Sequence, residues 1–180
     1  MKIVEREDGA VFSPEDPGEP STGLARLSPT VEERELLAFL AHGKDVLEIG
    51  TGLGSSAVAM ISTARSVTTV DIDPWVHKKV FPFLREKFGI RCLTSHFNLS
   101  LGPDHYTRYF DMVFIDGEHT KVALTEDIAE AERLCPRGVI VVHDAIELRD
   151  TLWDLGGWQI IETRYGIGIK YVGWEHALDL

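Results

Sequence analysis

Apolar positions along the chain gather into short runs: DVLEIG (45–50), SVTTVDI (66–72), IRCLTSH (90–96), FDMVFID (110–116) and GVIVVHD (138–144). Runs that are apolar almost throughout suit strands buried on both faces. The stretches between them carry helical patterns. SSAVAMISTA (55–64) is one, and in TKVALTEDIAEAERLC (120–135) Leu124, Ile128, Ala131 and Cys135 fall at steps of four, three and four, which is one helical face. Ahead of the first strand, Thr30-Val31-Glu32-Glu33 forms a capping box, and Leu36, Leu37 and Leu40 line one face of a helix that should end near Gly43. The segment DPWVHKKVFPFLREKFG (73–89) opens with Asp73 as cap and Pro74 in the first turn, and Pro82 should kink or split it. Strand and helix alternation implies an α/β fold, a doubly wound and mostly parallel sheet with right-handed crossovers. At the end WQIIETR (158–164) and IGIKYVG (167–173), separated only by Tyr165 and Gly166, are too close for a helical crossover and should form an antiparallel hairpin.

Composition narrows the class. The chain has 180 residues, 44% of them hydrophobic and 26% charged, enough for one globular domain with a real core. Residues 1–29 hold Pro14, Pro17, Pro20 and Pro29 without sustained periodicity, so they read as a tail or lid before a single domain over 30–180. Lysine plus arginine count 18 against 29 acids, a net charge of −11, which argues against a nucleic-acid partner. No apolar run reaches the ~20 residues of a bilayer span, and MKIVEREDGA lacks a leader's apolar stretch. The expectation is a soluble, cytoplasmic protein with no membrane partner. Cys92 and Cys135 are too few for a disulfide framework or a four-ligand zinc site and should be reduced core thiols.

Candidate chemistry lies where strands end. Between the first strand and the next helix runs Glu48-Ile49-Gly50-Thr51-Gly52-Leu53-Gly54-Ser55-Ser56. Its glycines let the backbone turn tightly and approach a ligand, and free amides at the helix start face it. Asp71, 21 residues beyond Gly50, ends the second strand, where a carboxylate can accept from both hydroxyls of a ribose. Loop and acid describe a nucleoside pocket. Gly52, Gly54 and Ala57 also satisfy the dinucleotide form G-x-G-x-x-A, so NAD competes as ligand. An acid at position 48 suits a cofactor with a cationic amino acid tail and so favours S-adenosylmethionine. Further along, Asp116 and His119 follow the fourth strand and His143 and Asp144 end the fifth. These termini are neighbours in a doubly wound sheet, so the four groups should converge. Carboxylates and imidazole suit a divalent metal, and a histidine suits proton abstraction. The plain alternative for Asp116 and Asp144 is a helix cap. His42, His77, His96, His105 and His176 have no motif around them, and Trp153, Trp158 and Trp174 read as core or subunit contact.

On these residues the chain resembles the class I S-adenosylmethionine-dependent methyltransferases, a Rossmann-like fold whose first motif, acid-x-Gly-x-Gly-x-Gly, is matched by Glu48, Gly50, Gly52 and Gly54. The resemblance covers about residues 30–173 and implies seven strands ending in an antiparallel hairpin. It implies that Glu48 holds the methionine end of the cofactor, that Asp71 holds its ribose, and that Gly50, Gly52, Gly54 and Ser55 line its path. Around Asp116-Gly117-Glu118-His119 the chain is similar to small O-methyltransferases of the catechol and caffeoyl-coenzyme A type and to bacterial enzymes with an Asp-Gly-x-His segment. By that resemblance Asp116, His143 and Asp144 are metal candidates, His143 standing where the family has Asp and Asp144 where it has Asn. A divalent ion such as Mg²⁺ is the implied metal, and the substitution favours a softer ion or none. His119 takes the place of a catalytic lysine and, with Asp116, is the catalytic candidate. The expected function is methyl transfer to an oxygen of a small-molecule acceptor, in a protein that could be a homodimer. The competing classes are an NAD-linked oxidoreductase and a non-catalytic cofactor-binding module. Asn98 falls near where such enzymes contact adenine. Acceptor choice is expected to come from residues 1–29, 97–109 and 145–157.

Overall fold

A computed structural model describes residues 29–94 and 109–173. The chain opens with helix α1 (Val31–Ala41), then runs β1 (Asp45–Ile49), α2 (Ser55–Ile61), β2 (Ser66–Val70), α3 (Pro74–Lys79), α4 (Phe81–Phe88), β3 (Arg91–Leu93), β4 (Met112–Ile115), α5 (Lys121–Leu134), β5 (Gly138–Val142), α6 (Arg149–Leu155), β6 (Gln159–Ile161) and β7 (Ile167–Val172). The seven strands form one sheet in the order β3-β2-β1-β4-β5-β7-β6. β3, β2, β1, β4 and β5 are parallel, and β7 is antiparallel to both its neighbours. The expected fold class and the hairpin are both present.

The unbroken apolar runs follow from a sheet covered on both faces. Val46, Met112, Phe114, Val139 and Val141 face a core shared with Leu37, Met60, Phe81 and Leu84 of the helices. Their alternates Leu47, Ile49, Val113, Ile115, Ile140 and Val142 face the other core, closed by Leu124, Ile128 and Ala131 of α5. Successive strand side chains point to opposite faces, so both sets must be apolar. The capping box forms in full: the Glu33 amide donates to Thr30 Oγ1 at 3.2 Å, and the Thr30 amide to Glu33 Oε2 at 2.7 Å. Pro82 splits its segment as its missing donor requires, α3 ending before Val80 and α4 beginning at Phe81 with the proline in its first turn. Cys92 and Cys135 are free and buried, and burial pushes both thiols up to about 11.

Three details depart from the pattern reading. The hairpin connection spans residues 162–166, not two residues, because Thr163 and Tyr165 turn inward to donate to Glu33 instead of extending the ladder. Part of the 145–157 stretch is the short helix α6, anchored by buried Thr151 and Leu152. Trp153 is 64% exposed on that helix and is not core. The 1–28 part of the expected tail, 97–108 with Asn98, and Trp174 lie outside the described residues.

The sheet brings two loops into contact at one point. Gly50 has φ +91°, and a Cβ placed there would lie 2.1 Å from the carbonyl oxygen of Asp116. The Asp116 amide donates to the Ile49 carbonyl at 2.8 Å, so the loops after β1 and β4 are locked backbone to backbone. Gly50→Ala should therefore cost more than about 2 kcal/mol in a denaturant melt, from left-handed strain plus overlap. A variant within about 0.5 kcal/mol of wild type would show that the loops are free to separate.

Candidate active site

The loops at the carboxyl ends of β1, β2, β4 and β5 enclose a cavity of about 860 Å³. One end is built by the glycine loop and the acid after β2. Asp71 Oδ2 accepts from the amides of Thr51 (2.9 Å) and Gly52 (3.0 Å), and Oδ1 from the amide of Asp73 (2.8 Å). Asp71 thus shapes the loop as well as lining the cavity beside Ile72. Gly54, in the left-handed conformation, starts α2, and Ser55 and Ser56 of its first turn also line the cavity. Gly50, Gly52, Ser55 and Asp71, four of the residues expected to hold a nucleoside, line one cavity. Gly54, which turns the chain into α2, is not among the lining residues.

Glu48 stands apart from this group. It lies on the core face of β1 with Val46, has no exposure, and does not line the cavity. The hydroxyls of Ser56 and Thr69 donate to its two oxygens, and Thr69 in turn pairs with Thr51 at 2.6 Å. Burial outweighs both hydroxyls and pushes its carboxyl up to about 8, so it is held as a neutral acid. The acid expected at the methionine end of a cofactor here braces the glycine loop from beneath.

At the other end the four expected groups converge. His143, 2% exposed, places Nδ1 3.2 Å from Asp116 Oδ1 and 3.0 Å from Asp144 Oδ2. His119 Nε2 lies 3.2 Å from Asp144 Oδ2 and 3.8 Å from Asp116 Oδ1. Asp144 is the one described non-glycine residue with positive φ, at 53°, which turns the chain immediately after β5. Burial would raise the Asp116 carboxyl, but the neighbouring imidazoles of His119 and His143 override it and keep it below the ordinary value. The Asp116 carboxylate, 3.8 Å away, is the largest influence on His119, whose imidazole is held above the usual range. For His143 burial pulls downward, and bonds to Asp116, Asp144 and Glu33 overcome it and raise it far above an ordinary histidine.

An oxygen of Asp116, an oxygen of Asp144 and a nitrogen of His143 lie within 4.8 Å of one another, which fits a divalent cation. A mixed set of two carboxylates and an imidazole suits ions of the Mn²⁺ or Fe²⁺ kind better than Mg²⁺, which prefers oxygen and water. Nδ1 stands at hydrogen-bonding distance from both carboxylates, so a cation entering there displaces a proton.

Pattern reading missed Glu33 as part of this end. Its capping role accounted for the side chain, and its partners lie 110 to 132 positions away. No local signal announces such a contact. Pro29 and Tyr165 line the cavity as well.

Set beside known proteins, this architecture has many counterparts. A family described as "Methyltransferase domain" matches residues 47–145, more than half the chain, and spans the glycine loop, Asp71 and the whole cluster. A Mycobacterium tuberculosis (strain H37Rv) protein named "Probable O-methyltransferase Rv1220c" is 35% identical over 118 residues, covering 61% of this chain and 51% of that one. A Mycobacterium sp. (strain JLS) protein, also named only provisionally as an O-methyltransferase, is 32% identical over 132 residues, 68% of this chain and 59% of its own. The chain thus spans between half and six-tenths of these relatives. Among solved structures, magnesium protoporphyrin IX methyltransferase from Synechocystis PCC 6803 with bound SAM superposes with TM-score 0.55 at 16% identity, over 77% of this chain and 76% of that one. N-methyltransferase NodS from Bradyrhizobium japonicum WM9, in complex with S-adenosyl-L-homocysteine, does so with TM-score 0.55 at 13% identity, over 82% and 85%. These two share the fold. The chain belongs to the methyltransferase-domain family, with the class I S-adenosylmethionine-dependent methyltransferase architecture.

Two measurements check the site. If Asp71 holds a ribose as expected, Asp71→Ala should weaken binding of S-adenosylhomocysteine roughly 10- to 100-fold by calorimetry, the value of a lost charge-assisted hydrogen bond; unchanged affinity would remove Asp71 from that role. For Glu48 the folded value of about 8 lies above the ordinary 4.5, so its contribution to stability is full below pH 4.5 and falls away as pH rises towards 8. Glu48→Gln should therefore gain on wild type in unfolding free energy between pH 5 and 8, by on the order of 1–3 kcal/mol at the upper end of that range in a series of denaturant melts. A difference that stays constant across that range would show Glu48 to be ionised in the fold.

Proposed function

We propose that the protein transfers the methyl group of S-adenosylmethionine to an oxygen of a small-molecule acceptor. The observation that carries this reading is the sharing of one cavity by the glycine loop and Asp71 at one end and the Asp116, His119, His143 and Asp144 cluster at the other. A nucleoside seated on Asp71 directs its sulfonium towards that cluster. The acceptor oxygen attacks the methyl carbon in line, the carbon–sulfur bond breaks with its electron pair going to sulfur, and S-adenosylhomocysteine leaves.

The sulfonium already activates the methyl group, so the chain's own residues have two tasks: to hold the acceptor in line and to remove its hydroxyl proton. In its neutral form His119 is the proton acceptor, because it is partly exposed to the cavity and has Asp144 and Asp116 behind it to stabilise the imidazolium that forms. Asp116, His143 and Asp144 would hold a divalent cation, which when bound lowers the pKa of a hydroxyl beside it. The side chains lining the cavity carry no lysine or arginine among the described residues, while Glu118, Glu126 and Glu147 line it along with the cluster. That lining supports a neutral or cationic small molecule over a phosphate-bearing one. Names given to the mycobacterial relatives support oxygen as the acceptor atom.

His119→Ala should lower methyl transfer to a hydroxylated acceptor by roughly 10²- to 10⁴-fold, the usual worth of a positioned base, while S-adenosylhomocysteine affinity stays within about twofold. Radiolabelled methyl transfer across a panel of catechols and other hydroxylated small molecules gives the readout. Normal turnover in the variant would remove His119 from the mechanism.

A further inference from the structure

Glu33 is fully buried, yet its two oxygens receive four donors from three separate parts of the chain. Oε1 accepts from the Thr163 hydroxyl at 2.6 Å and the Tyr165 amide at 3.0 Å, both in the hairpin connection. Oε2 accepts from the Thr30 amide at 2.7 Å and faces His143 Nε2 at 3.4 Å. The carboxylate also sits in the first turn of α1, whose free amides favour negative charge. A helix cap needs only the Thr30 contact, so the remaining three donors call for another account.

They are explained by the ring of His143. Nε2 turned to Glu33 leaves Nδ1 aimed between Asp116 and Asp144, at 3.2 and 3.0 Å. A flipped ring would place Cε1 against Glu33 and Cδ2 against Asp116 and Asp144, losing both sets of contacts. The ring of Tyr165, whose amide Glu33 also holds, packs edge-on against His143 at 5.6 Å, and Phe114 packs edge-on at 6.3 Å. We propose that Glu33 is a positioning residue for the reacting end of the cavity, fixing His143 with Nε2–H on its carboxylate and Nδ1 towards Asp116 and Asp144. A carboxylate behind an imidazole sets which nitrogen faces a cation or a reacting group. The inference rests on the reading of that cluster as the reacting end, but it concerns the ring's orientation.

The test follows the imidazole of His143 by NMR in protein labelled with ¹⁵N-histidine, the ring signals being assigned by their loss in His143→Gln. Wild type should show a protected, downfield Nε2–H for His143. In Glu33→Gln the charge is lost and one acceptor oxygen replaces two, so the His143 Nε2–H should exchange at least roughly tenfold faster, or the nitrogen shifts should change, while S-adenosylhomocysteine affinity is kept within about threefold. Thr163→Val loosens the same junction without touching the imidazole and should leave the ring signals in place. Ring signals unchanged in Glu33→Gln, or altered equally in Thr163→Val, would overturn the proposal and leave Glu33 a structural cap. If Glu33→Gln does not fold, wild type decides: absence of a protected His143 Nε2–H overturns it. No acceptor or turnover is needed, so this failure is distinct from a failure of methyl transfer.

Discussion

The backbone contact between Gly50 and Asp116 is the constraint on which the site depends. Parallel pairing of β1 with β4 runs from Val46 and Met112 to Ile49 and Ile115, and the Asp116 amide continues it onto the Ile49 carbonyl. No side chain fits at position 50, because the Asp116 carbonyl occupies its space. One consequence is that the glycine loop and the acid at the head of the Asp116, His119, His143 and Asp144 cluster cannot drift apart. β5 extends the arrangement, the His143 amide donating to Ile115 at 3.0 Å and bringing His143 and Asp144 alongside. The cavity is thus a product of strand register, with loop chemistry added to it.

Two buried glutamates show how the surroundings of one chemical group decide its state. Glu33 and Glu48 are equally inaccessible. Burial opposes the charge of Glu33, but His143, Thr163 and the amides of Thr30 and Tyr165 overcome it and hold the carboxyl well below its ordinary value. Glu48 has two hydroxyl partners, with the acids Asp116 and Asp71 adding to the desolvation, and so stays protonated. The ionised glutamate serves the end of the cavity where charge is in play. The neutral one lies under the glycine loop, where no cationic group among the described residues stands against it.

Much of the fold was legible because both sheet faces are covered, so each strand declares itself as an apolar run. The helix starts at Thr30 and Asp73 and the break at Pro82 were legible for a different reason, each being set by local chemistry. The hairpin connection was less so: Thr163 and Tyr165 leave the ladder for a carboxylate 130 or more positions away, a contact without local trace. In the site, the convergence of Asp116, His119, His143 and Asp144 followed from topology, since the ends of β4 and β5 must be neighbours. The direction of Glu48 did not follow from the motif. Strand alternation from Val46 places it on the core face, and that period, applied to the residue itself, is the signal that would have found it.

A crystal structure of the protein soaked with S-adenosylhomocysteine tests the central claim most directly. The account predicts both ribose hydroxyls on Asp71 and the sulfur turned towards Asp116 and His119 within the same cavity. A ligand ordered elsewhere, or reversed so that adenine lies over the cluster and the amino acid tail over Asp71, would contradict it.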